Sequence, residues 1–259
     1  MWLNDPWVAC LGVVAAVFTG SVIGFNLHRL LPPHHLSKET HDVIRLGAGM
    51  LSVLASLVLG LLIATVRTSY DNTATALRVY AADLTVLDET LREYGDRALE
   101  PRRRLRDYTT RLLDDVWRHP YPHPFLVENH GASERLEHVW DAIRNLPAAT
   151  RDEQLLAGEA QQIAVSLLRQ RWLLIERAGS SVHPVVIVIL VLWIAAIFVS
   201  FGINAPRHAT MYAVFLVLSF AIGSAIFLVM EMDAPFEGLL RISSQPVETA
   251  LGHMLPAGA

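Results

Sequence analysis

Three carboxylates follow the last long apolar stretch of the chain within seven positions: Glu231, Asp233 and Glu237, in the sequence "EMDAPFE". Carboxylate oxygens are ligands that hard cations such as Ca²⁺ prefer, so a loop that gathers these acids could bind such an ion or be gated by it. The alternative is that the acids only mark the end of a membrane helix, because charged groups stay at the hydrated edge of a bilayer. Pro235 would break the helix in either case.

The rest of the sequence offers little catalytic chemistry. No Walker, kinase, zincin or Gly-x-Ser-x-Gly pattern occurs, and no His pair that could hold haem lies in an apolar stretch. His119, His123 and His130 fall in "HPYPHPFLVENHGAS", where three prolines prevent the regular face on which metal ligands would converge. The sequence therefore predicts that the protein is not an enzyme and that it has no cofactor apart from the Ca²⁺ considered above.

Charge is strongly segregated along the 259 residues. A helix needs about 20 apolar residues to cross about 30 Å of hydrocarbon, and four stretches without Asp, Glu, Lys or Arg are long enough. The sequence "MWLNDPW" lacks the basic start of a secretory signal, so we interpret the first stretch as a retained helix. The fold class expected is an all-α integral membrane protein with four transmembrane helices, in the stretches Pro6–His28, Leu46–Val66, Val182–Pro206 and Ala209–Met230.

Between the second and third spans lies a polar segment, 67–181, which we expect to form a helical cytosolic domain. Its 16 basic and 18 acidic side chains give a net charge near −2, which argues against a nucleic-acid surface. The predicted domains are thus 1–66 with two spans, 67–181, 182–230 with two more spans, and an interfacial C-terminal segment, 231–259.

Basic residues near the membrane ends set the expected orientation, because cytoplasmic loops are enriched in Lys and Arg. Six such residues flank the spans on the side of the polar segment and four on the other, which favours cytoplasmic termini in a cell inner membrane. The two sets are Arg67, Arg78, Arg169, Arg171, Arg177 and Arg241 against Arg29, Lys38, Arg45 and Arg207.

An apolar seam with alternating spacings of four and three continues the second span as an amphipathic helix: Tyr70, Ala74, Leu77, Ala81, Leu84 and Leu91. Asp88 occupies a seam position that the pattern gives to an apolar residue. Two interpretations remain open: a polar register residue or carboxylate paired with an arginine, or a site facing a cytosolic aqueous axis. Downstream, we interpret Arg102–Arg104 as a solvated face, or as contacts with lipid headgroups, rather than as a phosphate site. Thr150 with Glu153 matches a helix-starting capping box.

Small side chains recur every four residues in the second span: Ala48, Ser52, Ser56, Gly60, Ala64 and Thr68. The first span carries a related pair, Gly20 and Gly24. Small residues let helices approach closely in lipid. The alternative for the second span is that Ser52, Ser56, Gly60, Ala64 and Thr68 line a narrow ion pathway in a homo-oligomer. Both interpretations require helix contacts within the membrane.

Three stretches carry a resemblance to a bestrophin-like family of bacterial membrane proteins: "LGLLIATVRTSYD" at 59–71, "AADLTVLDETLREYG" at 81–95 and "DAPFEGLLRIS" at 233–243. The resemblance implies a kinship with bestrophins, which are pentameric chloride channels with four transmembrane helices per subunit. In bestrophins an acidic stretch near a Pro-Phe pair after the last span helps to bind calcium, and Asp233, Pro235 and Phe236 match that element. The dense acidic run of animal bestrophins is absent here, as is their aromatic and isoleucine constriction in the second span.

Two functional hypotheses lead, and a transporter comes third because no span carries a charged residue in its middle. The first is a homo-oligomeric ion channel, a pentamer by resemblance, whose pore is lined by the second span and conducts inorganic ions, with anions implied by the resemblance alone. The second is a non-conducting membrane scaffold or sensor that signals through its cytosolic helices. Solvent access along residues 48–68 distinguishes the two, since only a channel admits water to that face.

Overall fold

A computed structural model describes residues 5–30, 38–118, 130–179, 181–206 and 208–255. All regular structure in these ranges is helical, as expected. The described α-helices are α1 (Pro6–Leu30), α2 (Lys38–Tyr94), α3 (Leu99–Leu113), α4 (His130–Arg144), α5 (Arg151–Arg177), α6 (Pro184–Asn204), α7 (Ala209–Asp233) and α8 (Gln245–Met254). A 3₁₀ turn, Asp96–Ala98, precedes α3, and a π-helical turn, Asp114–Arg118, continues it.

Four of the described helices, α1, α2, α6 and α7, are long and apolar enough to cross a membrane, which agrees with the four expected spans. The second is much longer than its apolar part, because α2 is a single helix of 57 residues. The expected span Leu46–Val66 and the expected seam at 70–91 are therefore parts of one continuous helix. His119 and His123 lie outside the described residues.

The chain forms two compact units, of which the first comprises Met1–Thr68 and Ser180–Asp233. Within it, α1 packs against both α6 and α7. Buried apolar side chains such as Val17, Leu190 and Ile226, each at most 1% exposed, form this contact. At one end, the Nδ1 atom of His41 on α2 lies 2.5 Å from the Oδ1 atom of Asn204 on α6.

Glycines set the closest approach in the first unit. A Cβ atom at Gly24 would collide with the backbone of Val199 and Gly202, and one at Gly202 would collide with the backbone of Ser21. Gly20 likewise faces the carbonyl oxygen of Ala195, 2.9 Å from the position of a Cβ. The glycine pair of the first span is therefore a packing surface for α6, as small residues in membrane helices usually are.

The second unit comprises Ser69–Gly179 and Ala234–Ala259. Its core combines the seam of α2 with side chains of α3, α4, α5 and α8, including Leu84, Leu105, Val139, Leu167 and Val247, all fully buried. The expected seam of α2 is confirmed, since Leu77, Ala81, Leu84 and Leu91 are buried and Tyr70 and Ala74 pack against the core.

Two local signals concern the start of α5 and the C-terminal segment. The capping box is confirmed, because the Thr150 side chain accepts from the Glu153 N–H and the Glu153 carboxylate accepts from the Thr150 N–H. The C-terminal segment contributes Ile242, Val247 and Ala250 to the core of the second unit. Its placement at a membrane interface stays a prediction.

Candidate functional site

The apolar part of α2 is the least covered of the four candidate spans. Only 11% of its most apolar window is buried, compared with 33–44% for the other three. Its buried residues are few, namely Ala48, Ala55, Leu62 and Val66. By contrast, Val53, Leu57 and Leu61 are 68–70% exposed. One chain thus leaves most of this helix surface available to lipid or to other subunits.

The small-residue row crosses from the covered side of α2 to the uncovered side. Each step of four residues turns about 40° around a helix, so the row from Ala48 to Thr68 winds through about 200°. In agreement with this winding, Ala48 is buried, Ser52 is half-buried, and the remaining members are exposed. The predicted pore-lining residues therefore lie on a surface that one chain does not cover from Ser56 onward, whereas Ala48 belongs to the packed face.

Hydroxyl groups on this row already bond to their own helix. The Ser52 Oγ donates to the carbonyl of Ala48 at 2.7 Å, and the Thr68 Oγ1 donates to the carbonyl of Ala64 at 2.8 Å. A hydroxyl that donates in this way keeps lone pairs but has no second proton to donate. In these rotamers Ser52 and Thr68 present acceptors, which suit cations better than anions.

Asp88 is paired with an arginine in the second unit, as the first of the two interpretations predicted. It is 4% exposed, and its carboxylate accepts from both the Nε and the Nη2 of Arg102, at 2.9 and 3.1 Å. The interpretation of Arg102–Arg104 as a solvated face is accordingly wrong for its first member, whose side chain is 24% exposed and bound to Asp88. Arg104 pairs with Glu100 on the outside of α3.

The three acids after the last span have different environments. Glu231 is 2% exposed in the last turns of α7, while Glu237 is exposed in the segment that follows. The Oδ1 atom of Asp233 accepts from the N–H and the hydroxyl of Ser181, at 2.8 and 2.6 Å. Among the described residues, no group of three or more His, Cys, Asp and Glu side chains could hold a metal ion. The calcium interpretation remains a prediction without geometric support.

Sequence reasoning did not anticipate a polar cluster between α2 and the other helices of the second unit. The Tyr80 and Tyr108 hydroxyls lie 2.5 Å apart, and the Arg171 Nη1 donates to the Tyr108 hydroxyl at 3.4 Å. Nearby, the Asp83 carboxylate accepts from Ser166 and Gln170 of α5. Apolar periodicity could not find these residues, because a tyrosine in a seam counts as apolar and its hydroxyl partner is distant in sequence.

Trp117 was also missed, although its indole bonds to a segment that is distant in sequence. It lies in the π-helical turn Asp114–Arg118, and its Nε1 donates to the carbonyl of Ile242 at 2.8 Å. A π-helical turn leaves no mark in a single sequence, since it arises from one extra residue in an otherwise helical pattern. Only the prolines that follow the turn signalled that α3 ends there.

Comparisons with known proteins agree with this architecture. Two solved structures of variants of a bacterial bestrophin homologue from Klebsiella pneumoniae match the fold, each at 13% sequence identity. One matches with a TM-score of 0.67 over 95% of both chains, the other with 0.65 over 94% of this chain and 97% of the homologue. No curated protein matches the chain by sequence. The model of the bestrophin-like domain matches residues 12–247, and the chain therefore belongs to the bestrophin-like family.

Proposed function

We propose that the protein is a multi-pass inner-membrane ion channel, assembled from several identical subunits around a pore lined by α2. The observation that carries this proposal is the exposure of the apolar part of α2, which is 11% buried in one chain. A surface this long and uncovered is explained if other copies of α2 lie opposite it. The solved structure that matches this fold is that of a bestrophin homologue, and the match supports the proposal at the level of the fold.

The pore face that we propose is narrower than the whole small-residue row. It contains Ser56, Gly60 and Ala64, which are exposed and lie within about 80° of one another around the helix. Ala48 is excluded, because it is buried in one chain together with Ala55 and Leu62. Small side chains on this face leave room for an ion path along the axis of an oligomer.

Orientation and stoichiometry complete the proposal. The excess of basic residues on the side of the second unit favours a cytoplasmic second unit and cytoplasmic termini. The pentamer follows from family membership alone. Anion passage rests on the same kinship, because Ser52 and Thr68, whose hydroxyls present acceptors, lie outside the proposed pore face. The permeant ion must therefore be measured rather than assigned from kinship.

Ion flux into liposomes tests the proposal, with chloride and potassium gradients imposed separately. We expect selective flux from the purified oligomer and a several-fold reduction in Ser56→Leu, because a leucine at that position fills the path. Ser224→Leu is the matched control, since Ser224 is an exposed serine on α7 rather than α2. Flux equal to that of empty liposomes, from folded and oligomeric protein, would favour the scaffold or sensor hypothesis.

A single-cysteine scan along residues 48–68 in a Cys10→Ser background gives a second, independent test. Water-soluble thiol reagents should modify cysteines at positions 56, 60 and 64 and spare those at positions 48, 55 and 62. Uniform protection would mean that no water path follows α2. That outcome would contradict the channel even if the oligomer forms.

A further inference from the structure

A polar cavity lies between the start of α2 and the end of α6, within the first unit. Its volume is about 540 Å³, within the range of small-molecule sites, which is about 300–1,000 Å³. From α2 it is lined by the side chains of His41, Asp42 and Arg45, and from α6 by the last turn and the two residues that follow, 202–206. We name this cavity the polar cleft.

The polar cleft lies where two candidate spans reach the edge of the hydrocarbon. Arg45 directly precedes the uncharged stretch of α2, and Pro206 ends the uncharged stretch of α6. Side chains that flank a span at this depth lie among the phospholipid headgroups of the bilayer. A headgroup is therefore the ligand that is present next to the polar cleft at the highest concentration.

The polar cleft carries charges of both signs. Arg45 and Asp42 are exposed and lie three positions apart on α2, so that they share one face of the helix. No ion pair joins either side chain to another described residue. The last turn of α6 adds carbonyl oxygens without partners inside the helix, together with the negative end of the helix dipole. The cleft thus offers a cationic group for an anion and several oxygen acceptors for a cation.

His41 and Asn204 form a wall of the cleft that both helices hold in place. The Asn204 Nδ2 donates to the carbonyl of Ser200 at 2.9 Å, which leaves the Asn204 Oδ1 as the acceptor. The Nδ1 atom of His41, 2.5 Å from this oxygen, is therefore the donor of their hydrogen bond. The same assignment leaves the His41 Nε2 as the ring nitrogen that can bond to a ligand.

An apolar surface continues from the cleft along α2. Leu46, Met50 and Leu54 follow Asp42 at steps of four residues, and each is at least 50% exposed. This row is offset by two residues from the row of small side chains, and two residues correspond to about 200° around a helix. The two rows therefore lie on nearly opposite sides of α2. Acyl chains packed on the leucine row would leave the proposed pore face free.

We propose that the polar cleft binds the headgroup of a phospholipid with a primary ammonium group, such as phosphatidylethanolamine. The Arg45 guanidinium binds the phosphate, since it can donate two N–H bonds to phosphate oxygens. Asp42 and the terminal carbonyls of α6 accept from the ammonium group, which a helix C-terminus favours. A headgroup without a cation leaves Asp42 unpaired beside the phosphate, so the cleft selects the zwitterionic lipid. This proposal does not depend on the channel function.

Native mass spectrometry of the full-length protein in detergent tests the site, by titration with phosphatidylethanolamine and phosphatidylglycerol of identical acyl chains. Wild type should bind phosphatidylethanolamine more tightly. Arg45→Gln should weaken binding of both lipids about tenfold, because both carry the phosphate. Asp42→Asn should weaken binding of phosphatidylethanolamine alone, by roughly three- to tenfold. Arg103→Gln and Asp107→Asn make the same charge changes at exposed positions of α3 and should alter neither affinity.

Equal affinities of the wild type for the two lipids overturn the selection of an ammonium group by Asp42. Unchanged lipid binding in Arg45→Gln overturns the site itself, provided that the variant keeps the unfolding temperature of the wild type. Displacement of the lipid by millimolar inorganic phosphate would identify a site for a soluble anion instead of a headgroup. A preference for phosphatidylethanolamine that disappears in Asp42→Asn, with both α3 controls unchanged, supports the proposal. Bound lipid is counted without any flux, so a protein that conducts no ion leaves this result unaffected.

Discussion

The carboxylate of Asp88 on α2 and the guanidinium of Arg102 on α3 form a two-point ion pair, with Nε and Nη2 donating to separate oxygens at 2.9 and 3.1 Å. Asp88 is 4% exposed and lies among the seam leucines of α2. Removing one member of such a pair leaves the other charge poorly solvated, which costs more than losing the bond. The pair therefore favours one packing register between α2 and α3.

Arg102→Ala should lower the free energy of unfolding of the protein by about 2–4 kcal/mol, because Asp88 then stays buried without its partner. The double variant Asp88→Ala with Arg102→Ala should be less destabilised than the sum of the two single variants. Thermal unfolding of the purified protein measures both effects. Arg103→Ala, at an exposed neighbouring position, serves as the control. Additive losses in the double variant would contradict a coupled pair.

Gly24→Ala should destabilise the first unit by about 1–3 kcal/mol through overpacking against the backbone of α6. Gly12→Ala on the same helix is the control, since a Cβ there has no atom within 4 Å. The measurement is the unfolding temperature in detergent, together with the yield of monodisperse protein. Equal unfolding temperatures and yields for Gly24→Ala and Gly12→Ala would mean that α1 and α6 can move apart without a loss of stability.

Asp233→Ala should destabilise the protein by about 1–2 kcal/mol, because the N–H and hydroxyl of Ser181 lose a charged acceptor. If this hydrogen bonding is the role of Asp233, the unfolding temperature of the wild type should be the same in calcium and in EDTA. A calcium-dependent rise that disappears in Asp233→Ala would restore the cation-binding interpretation of the acids.

The capping box of α5 should make the stability of the protein fall as the pH is lowered into the acid range. Backbone N–H groups of Thr150 and Ala149 that donate to Glu153 lower the pKa of its carboxyl below the ordinary 4.5. A lowered pKa in the folded state stabilises the protein above the ordinary value, and that contribution disappears as pH falls through the folded-state pKa. Wild type should therefore lose more stability than Glu153→Gln between about pH 5 and pH 3, which unfolding at fixed pH values measures. Parallel pH profiles for the two proteins would contradict this role.

Local patterns in the sequence predicted the local features of the fold. The uncharged stretches predicted the four candidate spans, the alternation of four and three predicted the α2 seam, and Thr150 with Glu153 predicted the start of α5. These features depend on neighbours within one helix turn or within one membrane thickness. These features can therefore be predicted from a single amino-acid sequence.

Features that depend on distant partners were not predictable in the same way. The pairing of Asp88 with an arginine was one of two open interpretations, and nothing in the sequence selected Arg102, 14 residues away. The contact of Trp117 with Ile242 joins residues 125 positions apart and depends on a π-helical turn. The row of small residues indicated a helix surface, but only the structure separated its buried member, Ala48, from its exposed ones.

The spacing of the small-residue row on α2 has a geometric consequence for any ring of these helices. A row of positions four apart is inclined by about 26° to the axis of its own helix. Helices that align such a row with a common symmetry axis must therefore lean by a similar angle. A ring of inclined helices is narrowest at mid-height and widens toward both ends. The passage would then be an hourglass, with its narrowest point near the middle of the exposed part of the row, close to Gly60.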